Sequence, residues 1–227
     1  MMFEGDQFFR EGDYHAAQAH YKAAFEEDQK NAQAALKAAQ CLWRLSFSTE
    51  AMDWLGRAIK ADPKLIEAYV TMADYQAQRY NFLVAVRILE QARRVNPKSS
   101  EVYRGFALVE LRRGNAKGAA TYGKKALEIY DNDVETLITL AQASLAMRDP
   151  KMAYNYAKKA TEIDVNHRKA QITLAESVAG IQGIDAGVDY FLRLVNNYPW
   201  LTSTVSPSAN YFWPTSAISR PKRFSGR

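Results

Sequence analysis

Three histidines and one cysteine are the side chains of this sequence best suited to nucleophilic, acid–base or metal chemistry, and their spacing serves none of it. His15 and His20 stand five residues apart and so fall on different faces of a helix, while His167 lies far along the chain. Cys41 has no histidine near it in sequence to take its proton, and one cysteine can form neither an intrachain disulfide nor a CxxC motif. No P-loop, GxGxxG, HExxH or GxSxG motif occurs. The chain therefore reads as no enzyme, with no catalytic residue, metal or cofactor, and with its histidines on the surface. Its function must rest on surfaces that bind.

The composition allows a folded core, with 48% hydrophobic and 24% charged residues among 227. The formal charge of +5 is localised. Residues 200–227 hold Arg220, Lys222, Arg223 and Arg227 and no acid, and without these four there are 26 basic against 25 acidic residues. The opening MMFEGDQFFREG lacks the basic start and apolar run of a signal peptide, and no stretch approaches the ~18 apolar residues of a membrane helix. These features predict a soluble, cytoplasmic protein.

The elements that position any binding surface are legible as a repeat. Ala17, Ala51, Ala85, Ala119, Ala153 and Gly187 follow one another at 34 residues. Gly5, Ala39, Ala73, Ala107, Ala141 and Ala175 keep the same period, and Ala24, Ala58, Ala92, Ala126 and Ala160 form a third column that breaks at Leu194. Pro63, Pro97 and Pro199 share a fourth, where a proline ends a helix. Each unit reads as two helices, for example residues 64–78 and 83–95, with apolar residues at three- and four-residue steps. Asn31, Asp62, Ser100 and Asn132 are the candidate caps. Small residues in phase imply helices whose backbones approach closely, where a larger side chain overpacks by ~1–3 kcal/mol.

These columns resemble the tetratricopeptide repeat. Repeat three has Tyr69, Met72-Ala73, Ala85, Leu89 and Pro97, and repeat six has Leu174-Ala175, Gly187, Phe191 and Pro199. Repeat one keeps Gly5, Phe8, Gly12, Tyr14, Ala17 and Tyr21, whereas repeats four and five carry Gly123 and Ala157 where Phe or Leu is usual. The resemblance spans residues 1–199. It implies an all-α, right-handed α-α superhelix of six repeats (1–31, 32–65, 66–99, 100–133, 134–167 and 168–199), followed by an irregular Pro/Ser-rich basic tail with aromatics, 200–227.

The resemblance also implies a concave groove lined by positions 2, 5, 9, 12 and 13 of each first helix. Carried onto this chain, the partner-binding set is Leu36, Gln40, Trp43 and Arg44 from repeat two and Val70 and Asp74 from repeat three. Repeat four adds Arg104, Leu108, Leu111 and Arg112, and repeat five adds Ile138, Gln142 and Leu145. Trp43 and Arg104 are residue types favoured at binding hot spots. Packing between repeats stays open for the apolar members, as does a core role for Trp43. Glu67, Glu101 and Glu135 also recur in phase, but each falls in a first helical turn, where the dipole favours a carboxylate. Family members that clamp the C-terminal carboxylate of chaperones use Lys at position 5 and Asn at position 9. Here those places hold Leu36 with Gln40 and Val70 with Asp74, which form no such clamp.

The resemblance thus implies a protein-interaction scaffold that binds a peptide or partner protein, with its own tail as a competitor for the groove. An alternative is a self-associating component of a larger assembly, such as a bacterial pilus, secretion or polarity apparatus. Contact of the basic tail with nucleic acid or a membrane surface is a third. Pro207, Pro214 and Pro221 prevent a long capping helix after repeat six. Fold-back of Trp200, Leu201, Tyr211, Phe212 and Trp213, a second copy, or residues beyond Arg227 would then cover that repeat.

Overall fold

The 34-residue register becomes twelve α-helices among residues 1–197, which are those that the computed structural model describes. The expectations for Pro199 and for the tail lie outside the described residues. The helices are α1 Met2–Glu11, α2 Tyr14–Glu27, α3 Ala32–Arg44, α4 Ser48–Ala61, α5 Ile66–Gln78, α6 Phe82–Val95, α7 Ser100–Arg112, α8 Ala116–Ile129, α9 Val134–Ala146, α10 Pro150–Ile163, α11 Arg168–Gln182 and α12 Ile184–Asn197. They pair as successive hairpins, one for each stretch of the sequence register. The chain divides into two compact units, Met1–Asp131 and one beginning at Asn132, within what reads in sequence as one array.

The small-residue columns are buried in each unit. Ala17, Ala51, Ala85, Ala119 and Ala153 have no exposed surface, nor do Ala39, Ala73, Ala107, Ala141 and Ala175. At Gly5 a β-carbon would lie 2.7 Å from Tyr21 Cε1. At Gly187 it would lie 2.4 Å from Ala179 Cβ and 3.1 Å from the Ala175 carbonyl oxygen. Two opposing effects meet at Gly187→Ala. Helix propensity favours alanine by ~1 kcal/mol, whereas a methyl forced against helical backbone is worth ~1–3 kcal/mol the other way. Since neither neighbouring atom belongs to a flexible side chain, we expect a net loss of about 1 kcal/mol, read as a lower urea midpoint. A raised midpoint would show that α11 and α12 can move apart freely.

In the first unit the columns frame a core around Tyr21, Leu36, Leu42, Trp54 and Leu55 and another around Tyr69, Leu89, Val102 and Phe106. A cluster in the second unit joins Ala141, Ala153, Ala157 and Leu174. Gly123 and Ala157, the loose positions of repeats four and five, are buried like Leu55 and Leu89 in the same column.

The helix ends correct the sequence expectations in detail. Helix α5 begins at Ile66 rather than Lys64, and α6 at Phe82 rather than Leu83. Asn31 caps α3 as expected, accepting from Ala34 N–H at 3.0 Å. The cap of α7 is Ser99, not Ser100, because its side chain accepts from Val102 N–H at 3.4 Å. The N-cap of α9 is Asp133, not Asn132, and it accepts from the Thr136 hydroxyl at 2.6 Å. Asp62 instead closes α4 and accepts from Lys64 N–H at 2.9 Å. Asp28, Asn96 and Asp164 make the same turn with Lys30, Lys98 and Asn166. This Asx column has the repeat's own period and suits a chain that must reverse after each hairpin.

A second periodic device lies between the paired helices. Gly12, Ser46, Tyr80, Gly114 and Arg148 occupy one register position, and all adopt the left-handed conformation, with φ between 62° and 85°. Repeat six departs from this pattern. Helix α11 runs two residues longer than α9, and its turn falls on Gly183 at φ 99° and ψ 163°, a region open essentially to glycine alone.

Candidate partner-binding groove

The first helices α3, α5 and α7 carry most of the predicted set within the first unit, and three of its members meet through one linked contact system. The Trp43 indole stacks on the Tyr75 ring, with centroids 4.1 Å apart and planes 6° from parallel. Its Nε1–H donates to Gln78 Oε1 at 3.3 Å, and Gln78 Nε2 donates to Asp74 Oδ2 at 2.7 Å. From the next first helix, the Arg112 guanidinium reaches Asp74 Oδ1 at 3.2 Å. That contact is one of charge rather than an aligned hydrogen bond, since Oδ1 has no donor in hydrogen-bond geometry. Trp43, Asp74 and Arg112 thus lie on consecutive first helices and fix one another's side chains. Burial raises the Tyr75 hydroxyl pKa and keeps that ring neutral under the indole.

The remaining predicted residues divide by burial. Leu36 and Ile138 are completely buried and present no surface to a partner. Val70 is half-buried and packs toward α7, where a β-carbon at Gly105 would lie 3.5 Å from Val70 Cγ1. Gln40, Arg104, Leu108, Leu111 and Gln142 are half-buried, while Arg44 and Arg112 are exposed. Leu145 packs against the core of the second unit with Tyr154 and Tyr190. Trp43 packs against the first core, which agrees with the core reading, and also enters the polar contacts above.

The predicted partner-binding set begins at repeat two, yet repeat one opens a cleft of about 510 Å³ lined by Phe3, Asp6, Phe9, Arg10, Tyr21, Lys37 and Gln40. Asp6, Phe9 and Arg10 are the residues that the same register places at positions 9, 12 and 13. Lys37 Nζ and the Tyr21 hydroxyl both donate to Asp6 Oδ1, at 2.5 and 2.6 Å. These bonds hold the Asp6 carboxyl below the usual carboxylate range. The position-9 acid of the second unit behaves oppositely. Burial pushes Glu176 up to about 7, opposed only by the Lys169 charge.

Glu67, Glu101 and Glu135 stand in the first turns of their helices, and Glu135 also meets His167 Nε2 at 3.1 Å. His167 is thus no plain surface residue, because its Nδ1 also accepts from Ala170 N–H and caps α11. His20 stacks on Phe8, with centroids 5.2 Å apart. The Cys41 thiol is buried and pushed up to about 12, so it stays protonated and is a poor nucleophile. Among the described residues no group of His, Cys, Asp and Glu could hold a metal ion, and no helix is long and apolar enough to cross a membrane.

The sequence model of the tetratricopeptide repeat matches residues 4–66 and 70–134, more than half of the chain. The chain belongs to the tetratricopeptide repeat family. Solved structures with the same fold extend the likeness. A Thermus thermophilus tetratricopeptide protein, TTC0263, is 21% identical with a TM-score of 0.69, over 78% of this chain and 96% of that one. PilW, described as a type IV pilus biogenesis factor, is 19% identical with a TM-score of 0.69, over 88% and 92%. PilF of Pseudomonas aeruginosa is 18% identical with a TM-score of 0.64, over 87% and 90%. At such identities the likeness is one of fold. The stress-induced phosphoprotein 1 of Caenorhabditis elegans is 34% identical over 67 residues, 30% of this chain. The match spans only about a fifth, 21%, of that relative's length. Tetratricopeptide arrays generally serve protein–protein interaction, and the family is generally non-catalytic.

Proposed function

We propose that this tetratricopeptide protein is a non-catalytic scaffold whose first helices hold a peptide segment of a partner protein. The observation that carries this reading is the Trp43–Gln78–Asp74–Arg112 system, which spans three first helices and orders an aromatic and a guanidinium before any ligand arrives. Preorganised groups of these types lose little entropy on binding and are common hot spots. The proposed contact residues in the first unit are Trp43, Arg44, Asp74, Arg104, Leu108, Leu111 and Arg112, joined by Phe9 and Arg10 of the first cleft. In the second unit the half-buried Gln142 and Leu145 are the proposed members. The same surface would admit the chain's own tail as a competitor.

A benzophenone amino acid placed at Arg44 or Arg112 should photo-cross-link the partner in cells, whereas one at the exposed Lys124 of α8 should not. With the partner in hand, Trp43→Ala should weaken binding at least about tenfold, as truncating a hot spot does. Adducts from Lys124 but not from Arg44 would refute the reading.

A second reading, self-association within a larger assembly, draws on α12. The column filled by completely buried alanines at Ala58, Ala92, Ala126 and Ala160 holds a half-buried Leu194 there, and Ile184 and Leu192 are exposed. A sedimentation-derived mass that stays monomeric across concentrations would exclude it.

A further inference from the structure

We propose that the turn edge of repeat three is a second interaction surface, separate from the groove, shaped for a partner segment that carries aromatic or aliphatic side chains beside carboxylates. The turn between paired helices passes through one left-handed residue in five repeats, and glycine fills it in repeats one and four. Glycine accepts that conformation without steric cost, whereas a residue with a β-carbon does not. Tyr80, at φ 62°, is the one aromatic among the five, and it is 80% exposed.

Three residues on, Leu83 is 81% exposed, where the other repeats place His15, Thr49, Lys117, Lys151 and Asp185 at the corresponding position. Val84 is 40% exposed, and Phe47, at the corresponding turn of repeat two, is 48% exposed. The Phe82 ring meets Tyr80 edge-on, with centroids 6.1 Å apart, and braces the exposed aromatic. Left-handed strain coincides here with the two most exposed large apolar side chains among the described residues, at positions where glycine and lysine are the sequence's own alternatives. Residues that break local rules without benefit to the fold mark surfaces in use.

Charge selects the partner. Arg79 is the C-cap of α5, and Arg87 lies one helical turn beyond Leu83 on the same face of α6. Both are exposed, and neither is in an ion pair among the described residues. An apolar patch between two open guanidinium groups repels a basic segment and attracts an acidic one.

The test selects a displayed random-peptide library on the full chain and compares each clone on the variant Tyr80→Gly/Leu83→Lys. Both substitutions restore residues that other repeats use, so the variant should fold with an unchanged or higher melting temperature. The expected clones combine Asp or Glu with Leu, Phe, Tyr or Trp. Their binding should fall at least about tenfold in this variant and in Arg87→Glu, weaken with salt, and survive Trp43→Ala. Loss with Trp43→Ala would move those clones to the groove and overturn the proposal, while leaving the scaffold reading intact. Clones rich in Lys and Arg, or none that distinguishes the chain from the variant, would also overturn it. A dimer that the same substitutions abolish would make a second copy the occupant and overturn it as well.

Discussion

Ala85→Leu should destabilise the first unit by about 3 kcal/mol, the upper end of what overpacking a well-packed core produces. Ala85 has no exposed surface and belongs to the cluster built on Tyr69, Ala73, Leu89 and Val102. Leucine adds three carbons to a cluster in which this position has no exposed surface left to grow into. The added apolar area cannot compensate, because every position open to it is already filled. The measurement is the urea midpoint beside Gln91→Leu, a substitution on the exposed face of the same helix that should stay within ~0.5 kcal/mol. Equal effects at the two sites would mean that the 34-residue alanine column does not set the distance between helices.

Glu176→Gln should stabilise the second unit above neutral pH and leave it nearly unchanged at pH 5. Burial raises the Glu176 carboxyl from 4.5 to about 7 in the folded chain. Between those two values the folded chain holds more of this proton than the unfolded chain does, so this group's contribution falls as pH rises through that window. Above it, the fold carries the penalty of a half-buried carboxylate. At ~1.4 kcal/mol per pKa unit the ceiling is ~3 kcal/mol, and water reaching a half-buried group lowers the expected value to about 1–2 kcal/mol. Glutamine keeps the shape and removes the charge. Denaturation of both proteins at pH 5 and pH 8 isolates this group, since every other titration cancels in the difference. A stability gap that does not widen between pH 5 and pH 8 would show that Glu176 is ionised at little cost in the fold. Asp6 shifts the other way, because Lys37 and Tyr21 stabilise its anion, so its contribution is lost in acid rather than in base.

How far the predicted face could be read from sequence depended on what each residue touches. The register brought Trp43, Asp74 and Arg112 onto one face of successive helices, and the contacts among them agree with it. The same register assigned Leu36 and Ile138 to that face, and both are completely buried. A residue's angular position on a helix tells which way it points, but not whether a neighbouring helix already stands there. Repeat one's cleft was within reach of the register, since Asp6, Phe9 and Arg10 occupy positions 9, 12 and 13, but the hydrogen bonds that Lys37 and Tyr21 donate to Asp6 were not.

The sequence by itself determined the helical period, the pairing of helices, the family and the columns where only small residues fit. These features are encoded locally and repeated in phase, so each copy confirms the others. Tertiary structure alone decided which side chains of the predicted face remain accessible, that Glu176 is half-buried without a close cation while Asp6 finds one, and that Tyr80 and Leu83 stand exposed together. Those outcomes depend on what the adjoining helix contributes at each point. Neighbours in space, not in sequence, set the burial and the charge environment of each side chain.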